Sequence, residues 1–210
     1  RDLHTFPTRR SSDLLSSNTE ELERLIQLVE RLLLLARTEA ARDRLQMEEV
    51  ALRDLVERLA EFHLDGLDFR VKVAPEVRLQ ADPYLLEIAV GNLLSNARKY
   101  AQPPFEIAYR EDKEARVIVI SDCGPGIPVQ DLAFLFDRFY RVDGARGDQG
   151  WGLGLGLALV RSAMRAQGGE ATASSSHGQG SRFELCFPKS SLEGNRSVPE
   201  KPLRKRRVKP

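Results

Sequence analysis

Apolar residues recur every three to four positions over residues 18–42, and this spacing predicts a long amphipathic helix. Further leucines (Leu28, Leu34 and Leu35) make its apolar face wider than the seam of a two-stranded coiled coil. A helix of this kind exposes a large apolar patch when it stands alone, so we expect it to pack against a helix of another chain. Packing against its own domain is the alternative. The stripe consists of Leu22, Leu25, Ile26, Val29, Leu32, Leu33 and Ala36.

A second helix is predicted over 48–63, where the apolar stripe is Leu52, Leu55, Val56, Leu59 and Phe62. The period then changes to strict alternation, which is typical of strands. Helices over 83–100 and 153–167 interrupt the strands, and Asp82-Pro83 marks the start of the first because Asp caps helices and Pro favours their first position. The predicted strands are 68–74, 77–79, 105–110, 116–121, 170–176 and 181–187.

This order of elements predicts an α+β fold. We expect a two-layer α/β sandwich, with a mixed, mostly antiparallel sheet and helices on one face, preceded by a long bundle-forming helix. The hairpin formed by the last two predicted strands argues against a purely parallel sheet. No internal repeat is visible.

Composition narrows the class of protein. The chain has 210 residues, of which 41% are hydrophobic, and its mean hydropathy of −0.36 predicts a soluble protein with a real core. No apolar run approaches the ~18 residues that a membrane span needs. Cys123 and Cys186 are far apart, which argues against a disulfide framework and a zinc ribbon, and three scattered histidines argue against a His-rich metal site.

The net charge of +1 averages two unlike regions. Residues 189–210 hold eight Lys or Arg against two Asp or Glu, so we expect a disordered, solvated basic tail, with binding to nucleic acid or anionic lipid as the alternative. The body of the chain is acidic. Residues 1–14 have no periodic pattern and resemble translated sequencing adapter, with an ordinary disordered terminus as the alternative, so they are left out of the fold prediction.

The first cluster with chemical potential is GNLLSNARKY, residues 91–100. Asn92 and Asn96 share one helix face, and their amide oxygens are hard, neutral ligands that Mg²⁺ accepts alongside phosphates and water. Lys99 follows on that face and could meet phosphate charge. Two exposed polar residues on a helix surface are the structural alternative.

The second cluster is SDCGPGI, residues 121–127, directly after the most apolar strand. Asp122 ends that strand, and its carboxylate can accept a hydrogen bond from an exocyclic amine. Gly124 and Gly126 permit a turn and a close backbone approach. An ordinary turn after a strand is the alternative.

The third cluster is GWGLGLGLALV, residues 150–160. Gly152, Gly154 and Gly156 begin a predicted helix, where free N–H groups and the positive helix end attract anions. Glycine at every second position weakens both helices and strands, so a purely structural role is a weak explanation. The chain lacks a Walker loop, a dinucleotide fingerprint and the H-R-D motif of Ser/Thr/Tyr kinases.

In this order, the three clusters resemble the catalytic and ATP-binding domain of sensor histidine kinases, which shares a superfamily with gyrase, heat-shock chaperone and mismatch-repair ATPases. They are similar to its N, G1 and G2 boxes, and FDRFYR (136–141) is similar to its F box. The resemblance implies a catalytic domain over 47–188. It also implies that residues 15–44 are the second helix of the dimerisation and phosphotransfer hairpin.

The resemblance implies a role for each site residue. Asp122, with the turn at Gly124 and Gly126, would bind the adenine amino group of ATP, and Tyr100 would form a wall of the pocket. Asn92 and Asn96 would hold Mg²⁺.

The remaining roles concern the phosphates. Lys99 and the G2 glycines would meet the phosphate chain, and Arg141 and Arg146 would neutralise charge on the γ-phosphate. Residues 142–150 would form a mobile lid.

Asn92 favours phosphoryl transfer to a histidine over hydrolysis, because the ATPase branches carry a glutamate base at this position. An ATP hydrolase of the same superfamily is one alternative. The other is a non-catalytic nucleotide-binding or dimerisation module, which Leu153 keeps open because the family has a small polar residue there.

None of His4, His63 and His177 lies in the His-Glu-x-x-x-Pro context that the resemblance requires of a phosphoacceptor. We therefore expect a truncated kinase that binds Mg-ATP without autophosphorylating. Its parent would be a homodimer that acts on a response regulator, with no specific nucleic acid partner. This domain would be cytoplasmic in an inner-membrane-anchored bacterial sensor, with membrane contact only through missing upstream segments.

Overall fold

The computed structural model describes residues 28–38, 44–142, 153–176 and 178–189, together with residues 26 and 40. Helices are interspersed with strands through these ranges. In chain order they are α1 (28–38), β1 (Glu48–Ala51), α2 (Leu52–His63), β2 (Phe69–Lys72), β3 (Arg78–Ala81), α3 (Pro83–Tyr100), β4 (Phe105–Glu111), β5 (Ala115–Ser121), α4 (Val129–Leu132), α5 (Gly156–Ala166), β6 (Glu170–Ser175) and β7 (Ser181–Pro188).

Five strands form the main sheet in the order β2-β4-β5-β7-β6. The β2–β4 pair is parallel and the other three pairs are antiparallel, which confirms the predicted mixed, mostly antiparallel sheet. The hairpin of β6 and β7 is confirmed as well. β1 and β3 form a separate antiparallel ribbon.

The two faces of the main sheet differ in chemistry. One face contributes Ile107, Ile120 and Leu185 to the core, where they are fully buried with Leu86 and Leu93 of α3. The opposite face carries ion pairs between β2 and β4, which are neighbours, and between β4 and β7, which lie on either side of β5. Lys72 pairs with Glu106 at 2.6 Å and Arg110 with Glu184 at 3.0 Å. This asymmetry confirms the two-layer sandwich with helices on one face.

Helix α3 spans Pro83–Tyr100, as the sequence predicts. The Asp82 carboxylate accepts a hydrogen bond from the Leu85 N–H at 3.1 Å, which is the expected cap. α3 packs against α2 on one side and α5 on the other. It is therefore the central helix of the helical layer.

The prediction of one helix over 48–63 is wrong in its first turn. Residues Glu48–Ala51 form a strand that pairs with β3, which places Val50 opposite Leu79 in the core. The helix begins at Leu52. Phe62, predicted on the buried stripe, is 78% exposed, because the buried face of α2 ends at Ala60.

Helix α1 uses its apolar face in two ways. Leu35 is 2% exposed and belongs to the same core as the sheet and helices. Ile26, Val29 and Leu33 are each more than half exposed. One side of the helix thus packs on its own chain, while a second apolar stripe stays uncovered by the part of the chain that the structure describes. Of the rest of the predicted helix over 18–42, the structure describes residues 26 and 40, and the other positions lie outside the described residues.

Helix α5 begins at Gly156, later than the predicted 153–167, and the four-residue helix α4 was not predicted. Within the described ranges, the helices lack the combination of length and hydropathy needed to cross a bilayer.

Candidate functional site

The first turn of α5 faces two asparagines of α3. A Cβ placed on Gly156 would lie 3.3 Å from Asn92 Oδ1 and 3.5 Å from Asn96 Oδ1. The Asn92 oxygen and the Asn96 amide, whose Nδ2 lies 3.7 Å from the same position, therefore converge on one point that the absent side chain of Gly156 leaves unfilled. The i, i+4 spacing explains the shared face of α3, while the packing of α3 on α5 brings the glycine to it.

A hydrogen bond within α3 fixes the direction of one of these oxygens. The Asn92 Nδ2 group donates to the carbonyl of Ile88 at 2.7 Å. Because the amide nitrogen points back along the helix, Oδ1 is turned toward Gly156. Asn92 thus presents an acceptor to the opening.

These oxygens fit a magnesium ion in their chemistry. Mg²⁺ prefers hard oxygen ligands and completes its shell with water and substrate phosphates rather than with an all-protein cage. Asn92 and Asn96 supply two neutral oxygens on one face. The described residues contain no cluster of three His, Cys, Asp or Glu suited to a metal, so a metal held here would depend on such shared ligands.

Asp122 lies at the end of β5 with one carboxylate oxygen committed to the backbone. Its Oδ1 accepts from the Gly124 N–H at 2.8 Å and from the Ser181 N–H at 3.2 Å. Burial raises the pKa of this carboxyl, and the two backbone N–H donors oppose that rise. Since Oδ1 is occupied, the other oxygen of Asp122 is the one available to a ligand.

Glycines pack tightly around Asp122. A Cβ on Gly180 would overlap the carbonyl oxygen of Asp122, and a Cβ on Gly124 would lie 2.9 Å from the Cα of Ala101. Gly126 has φ +79°, a conformation that favours glycine. Any side chain at these positions displaces the loop, and the two hydrogen bonds that hold Oδ1 both come from backbone N–H groups.

The loop of Asp122 rests on the C-terminal end of α3. The Cys123 N–H donates to the carbonyl of Gln102 at 3.1 Å, and Gly124 contacts Ala101, which follows the helix directly. Asn96 lies five residues before Ala101, about 8 Å along the helix axis. One helix therefore carries the asparagines and supports the carboxylate loop.

Residues 136–141, which resemble the F box, pack against Gly154 before α5 and against Arg161 within it. The Phe139 N–H donates to the Gly154 carbonyl at 2.8 Å. Gly154 has φ +66°, and a Cβ there would lie 2.6 Å from the carbonyl carbon of Phe139. Asp137 pairs with Arg161 of α5 at 2.9 Å. Phe136 is buried, whereas Phe139 is exposed.

The remaining predicted site residues lie outside the cluster formed by the two asparagines, Asp122 and the glycines. Lys99 and Tyr100 lie in the last turn of α3 with much of each side chain exposed to solvent. Desolvation of the part of Lys99 that is covered, together with the positive charge of Arg31 on α1, lowers the pKa of Lys99. Arg141 is half-buried near the end of the described stretch. Arg146, Gly152 and all but the first residue of the predicted lid (142–150) lie outside the described residues, so their roles stay predictions.

Sequence reasoning missed three residues that build the Asp122 loop. Ser181 donates its N–H to the carboxylate, and Gly180 makes room for it. Ser175 Oγ accepts from the Ile127 N–H at 2.8 Å and donates to the Gly180 carbonyl at 2.7 Å. The signal for Gly180 is its position in the turn Gly178-Gln179-Gly180 between two strands.

Comparison with known proteins gives consistent matches. The profile of the family described as Histidine kinase-, DNA gyrase B-, and HSP90-like ATPase matches residues 81–191. The chain is 33% identical over 190 residues to the sensor protein CzcS of Cupriavidus metallidurans, covering 88% of this chain and 40% of CzcS. The chain thus spans about two fifths of the length of that relative.

Two solved structures share the fold. Histidine kinase AdeS of Acinetobacter baumannii superposes with a TM-score of 0.66 at 26% identity, covering 83% of each chain. Full-length ShkA, solved in complex with AMPPNP, gives a TM-score of 0.69 at 26% identity over 89% of this chain and 40% of ShkA. The chain therefore belongs to the histidine kinase-, DNA gyrase B- and HSP90-like ATPase family, in which it carries the ATP-binding catalytic domain of a sensor histidine kinase.

Proposed function

We propose that the chain binds Mg-ATP along α3, with the base at Asp122 and the phosphates at the first turn of α5. The observation that carries this proposal is the convergence of Asn92 Oδ1 and Asn96 Oδ1 on the open position at Gly156. Two amide oxygens at the N-terminus of an eleven-residue helix suit a phosphate chain accompanied by a divalent cation.

Asp122 recognises the base. Backbone donors hold its Oδ1, so the second oxygen faces a ligand as a fixed acceptor. A carboxylate acceptor selects a base that presents an N–H donor, as the exocyclic amine of adenine does. A base with a carbonyl at that position would face it acceptor to acceptor, which rejects the base because neither group is satisfied.

The phosphate chain is held by groups of different kinds. The free N–H groups of the first turn of α5 donate to phosphate oxygens, and the glycines there let the chain approach. Mg²⁺ held by Asn92 and Asn96 supplies positive charge that offsets the charge of the phosphates. Lys99, Arg141 and Arg146 add further positive charge near the γ-phosphate.

The reaction we propose is transfer of the γ-phosphoryl group to a histidine. The bond between the γ-phosphorus and the bridging oxygen breaks, a bond to an imidazole nitrogen forms, and ADP leaves with the electron pair. Asn92 cannot act as a base toward water, because an amide does not take a proton at neutral pH. Asn92 also already donates to Ile88. Hydrolysis is therefore not the expected outcome.

The acceptor histidine is not His63. Its Nε2 lies 3.1 Å from the Cβ position of Gly91, against the surface of α3. A ring packed against a helix has little room to attack phosphorus.

We further propose a homodimer formed through the uncovered stripe of α1. Ile26, Val29 and Leu33 follow the three-then-four spacing of a coiled-coil seam and are 56%, 53% and 53% exposed. In the parent protein, the phosphohistidine would pass its phosphoryl group to a response regulator on the cytoplasmic side of the membrane, where ATP is found. The proposed domain boundaries remain 15–44 and 47–188.

Calorimetric titration of the chain with ATP in excess Mg²⁺ tests the proposal. We expect saturable binding that weakens when EDTA replaces Mg²⁺ and disappears in Asp122→Asn. Release of inorganic phosphate should stay at the background rate. Binding that ignores both Mg²⁺ and Asp122 would contradict the proposed site, and rapid phosphate release would favour the hydrolase.

A further inference from the structure

Asp82 and Gln167 form a buried polar joint at the far end of the α3–α5 pair. Both side chains lie in the core, at 8% and 5% exposure. The Asp82 N–H donates to Gln167 Oε1 at 2.8 Å, and Gln167 Nε2 donates to the Ala163 carbonyl at 3.1 Å. The two bonds fix the orientation of the glutamine amide, so the contact joins the start of α3 to the end of α5.

The joint lies opposite the candidate site along the same two helices. Asp82 precedes α3 by one residue and Gln167 follows α5 by one residue, so the two helices run antiparallel. Asn92 is ten residues beyond Asp82, and Gly156 is eleven residues before Gln167. At 1.5 Å per residue, both paths are about 16 Å long. A shift of one helix along the other at the joint therefore changes the distance from Gly156 to the asparagine oxygens.

The same carboxylate also holds the segment that follows α1. Asp82 Oδ1 caps α3 by accepting from the Leu85 N–H, and Oδ2 accepts from the Gln46 N–H at 3.0 Å. Gln46 lies between α1 and β1. Asp82 thus contacts three parts of the fold: the first turn of α3, the C-cap of α5 and the connection from α1.

We propose that the bond from the Asp82 N–H to Gln167 Oε1 sets the register of α3 against α5, so that Gln167 is a positioning residue that holds Asn92, Asn96 and Gly156 at the spacing Mg-ATP requires. Through Gln46, the same joint ties the α1 connection to that register. This inference rests on the proposed function of the site. Neither residue contacts the ligand, so their effect falls on the phosphate end and spares Asp122, which is held by a separate set of backbone bonds.

Two variants separate the functions of the joint. Gln167→Met keeps the length of the side chain but leaves the Asp82 N–H without its acceptor, which releases the register. Asp82→Asn keeps the cap oxygen and the backbone N–H to Gln167, but turns an amide donor toward the Gln46 N–H. Ile107→Val is the matched control, because it removes one buried methylene from the sheet and leaves the joint intact.

The experiment is titration of the full chain with Mg-ATP and with adenosine. Adenosine lacks phosphates and therefore reports on the base end alone, and its binding is followed by NMR. We expect Gln167→Met to weaken Mg-ATP about tenfold while adenosine binding changes less than about twofold. Asp82→Asn should keep both affinities and speed amide hydrogen exchange at Gln46. Ile107→Val should lower the melting temperature without changing either affinity. Wild-type affinity for Mg-ATP in Gln167→Met, or an equal loss for both ligands, would overturn the proposal.

The NMR spectra give a second readout that does not depend on nucleotide binding. In Gln167→Met we expect the side-chain amide signals of Asn92 and Asn96 to shift, and in Ile107→Val we expect them to stay in place. If the wild-type chain binds no nucleotide, the proposed function fails, and these signals alone test whether the Asp82–Gln167 contact sets the register of α3 against α5. Unshifted signals in Gln167→Met would then overturn it.

Discussion

The two ends of the proposed nucleotide site are built by opposite means. At the base end, backbone N–H groups of Gly124 and Ser181 hold Asp122, and the loop cannot accept a Cβ at Gly124 or Gly180. At the phosphate end, two side chains on α3 face the first turn of α5 across an opening. The first end is fixed by local contacts, whereas the second depends on how two helices lie against each other.

This difference shows where the site can be adjusted without being destroyed. A close-packed loop has one geometry, and a change there abolishes recognition. A gap between two helices responds to shifts along their axes, since packed helices can slide by small amounts. We therefore expect base recognition to be constant and phosphate binding to be the part that varies with the state of the protein.

The largest effect is expected from Asp122→Asn. The amide oxygen replaces Oδ1 as acceptor for the two backbone N–H groups, which turns the amide NH₂ toward the base. A donor then faces the adenine amine, and ATP affinity should fall at least about 100-fold. ITP, whose base carries a carbonyl at that position, should bind this variant better than ATP does. Calorimetry with ATP and with ITP checks this reversal of preference, and unchanged ATP affinity would refute the role of Asp122.

Gly156→Ala should affect the phosphate end alone. The new methyl lies 3.3 Å from Asn92 Oδ1 and fills the opening, so we expect Mg-ATP affinity to fall about tenfold or more while adenosine still binds. Alanine is the better helix former, so the melting temperature should not drop. Gly66→Ala is the control for affinity, because a Cβ there meets nothing within 4 Å; its φ of +76° strains any side chain, so its melting temperature should fall while both affinities stay unchanged. A loss of adenosine binding in Gly156→Ala would contradict the separation of the two ends.

As the pH falls, ATP binding through Asp122 should weaken at a higher pH than the one at which an exposed aspartate becomes protonated. Burial raises the pKa of Asp122, and binding needs the ionised carboxylate, so ATP affinity should decline at a higher pH than an ordinary aspartate predicts. The pH dependence of the free energy of unfolding has the opposite sign to that of ATP binding. With a raised pKa in the fold, this carboxyl favours the folded state at low pH, and that contribution is lost as pH rises through its folded pKa.

Thermal unfolding without nucleotide checks the stability side of this prediction. Asp122→Asn should raise the melting temperature near neutral pH relative to wild type, and the difference should shrink as the carboxyl becomes protonated. A variant less stable than wild type at every pH would contradict it.

The smallest effect is expected from Lys99→Met. Lys99 is exposed in the last turn of α3, so its attraction to phosphate is screened by solvent and salt. We expect Mg-ATP affinity to fall by about twofold to fivefold at low ionic strength and the difference to vanish in high salt. Lys72→Met removes the same charge from the opposite face of the sheet, where Lys72 pairs with Glu106, and should leave the affinity unchanged. A salt-independent loss in Lys99→Met would indicate a packing role.

Local signals explain what the sequence could predict. The cap at Asp82, the proline after it and the period of the apolar residues all lie within α3, so the bounds of this helix are predicted correctly. β1 was missed because its formation depends on pairing with β3, some thirty residues later. Glu48 and Glu49 look like the acidic first turn of a helix when they are read without that partner.

The same distinction applies to the site. The i, i+4 spacing predicts that Asn92 and Asn96 share a face, but only the packing of α3 on α5 brings Gly156 to them. The Ser181 N–H reaches Asp122 from a strand 59 residues later. Such contacts come from the sheet order, in which β5 pairs with β7, and no spacing within one segment encodes them.

The separation of the base end from the phosphate end is tested most directly by one set of titrations. Adenosine and Mg-ATP are each titrated into wild type, Asp122→Asn and Gly156→Ala under one buffer condition. We predict that Asp122→Asn loses both ligands, whereas Gly156→Ala keeps adenosine and loses most of its affinity for Mg-ATP. Equal losses of both ligands in Gly156→Ala, or wild-type binding in Asp122→Asn, would contradict a site built from two independent ends.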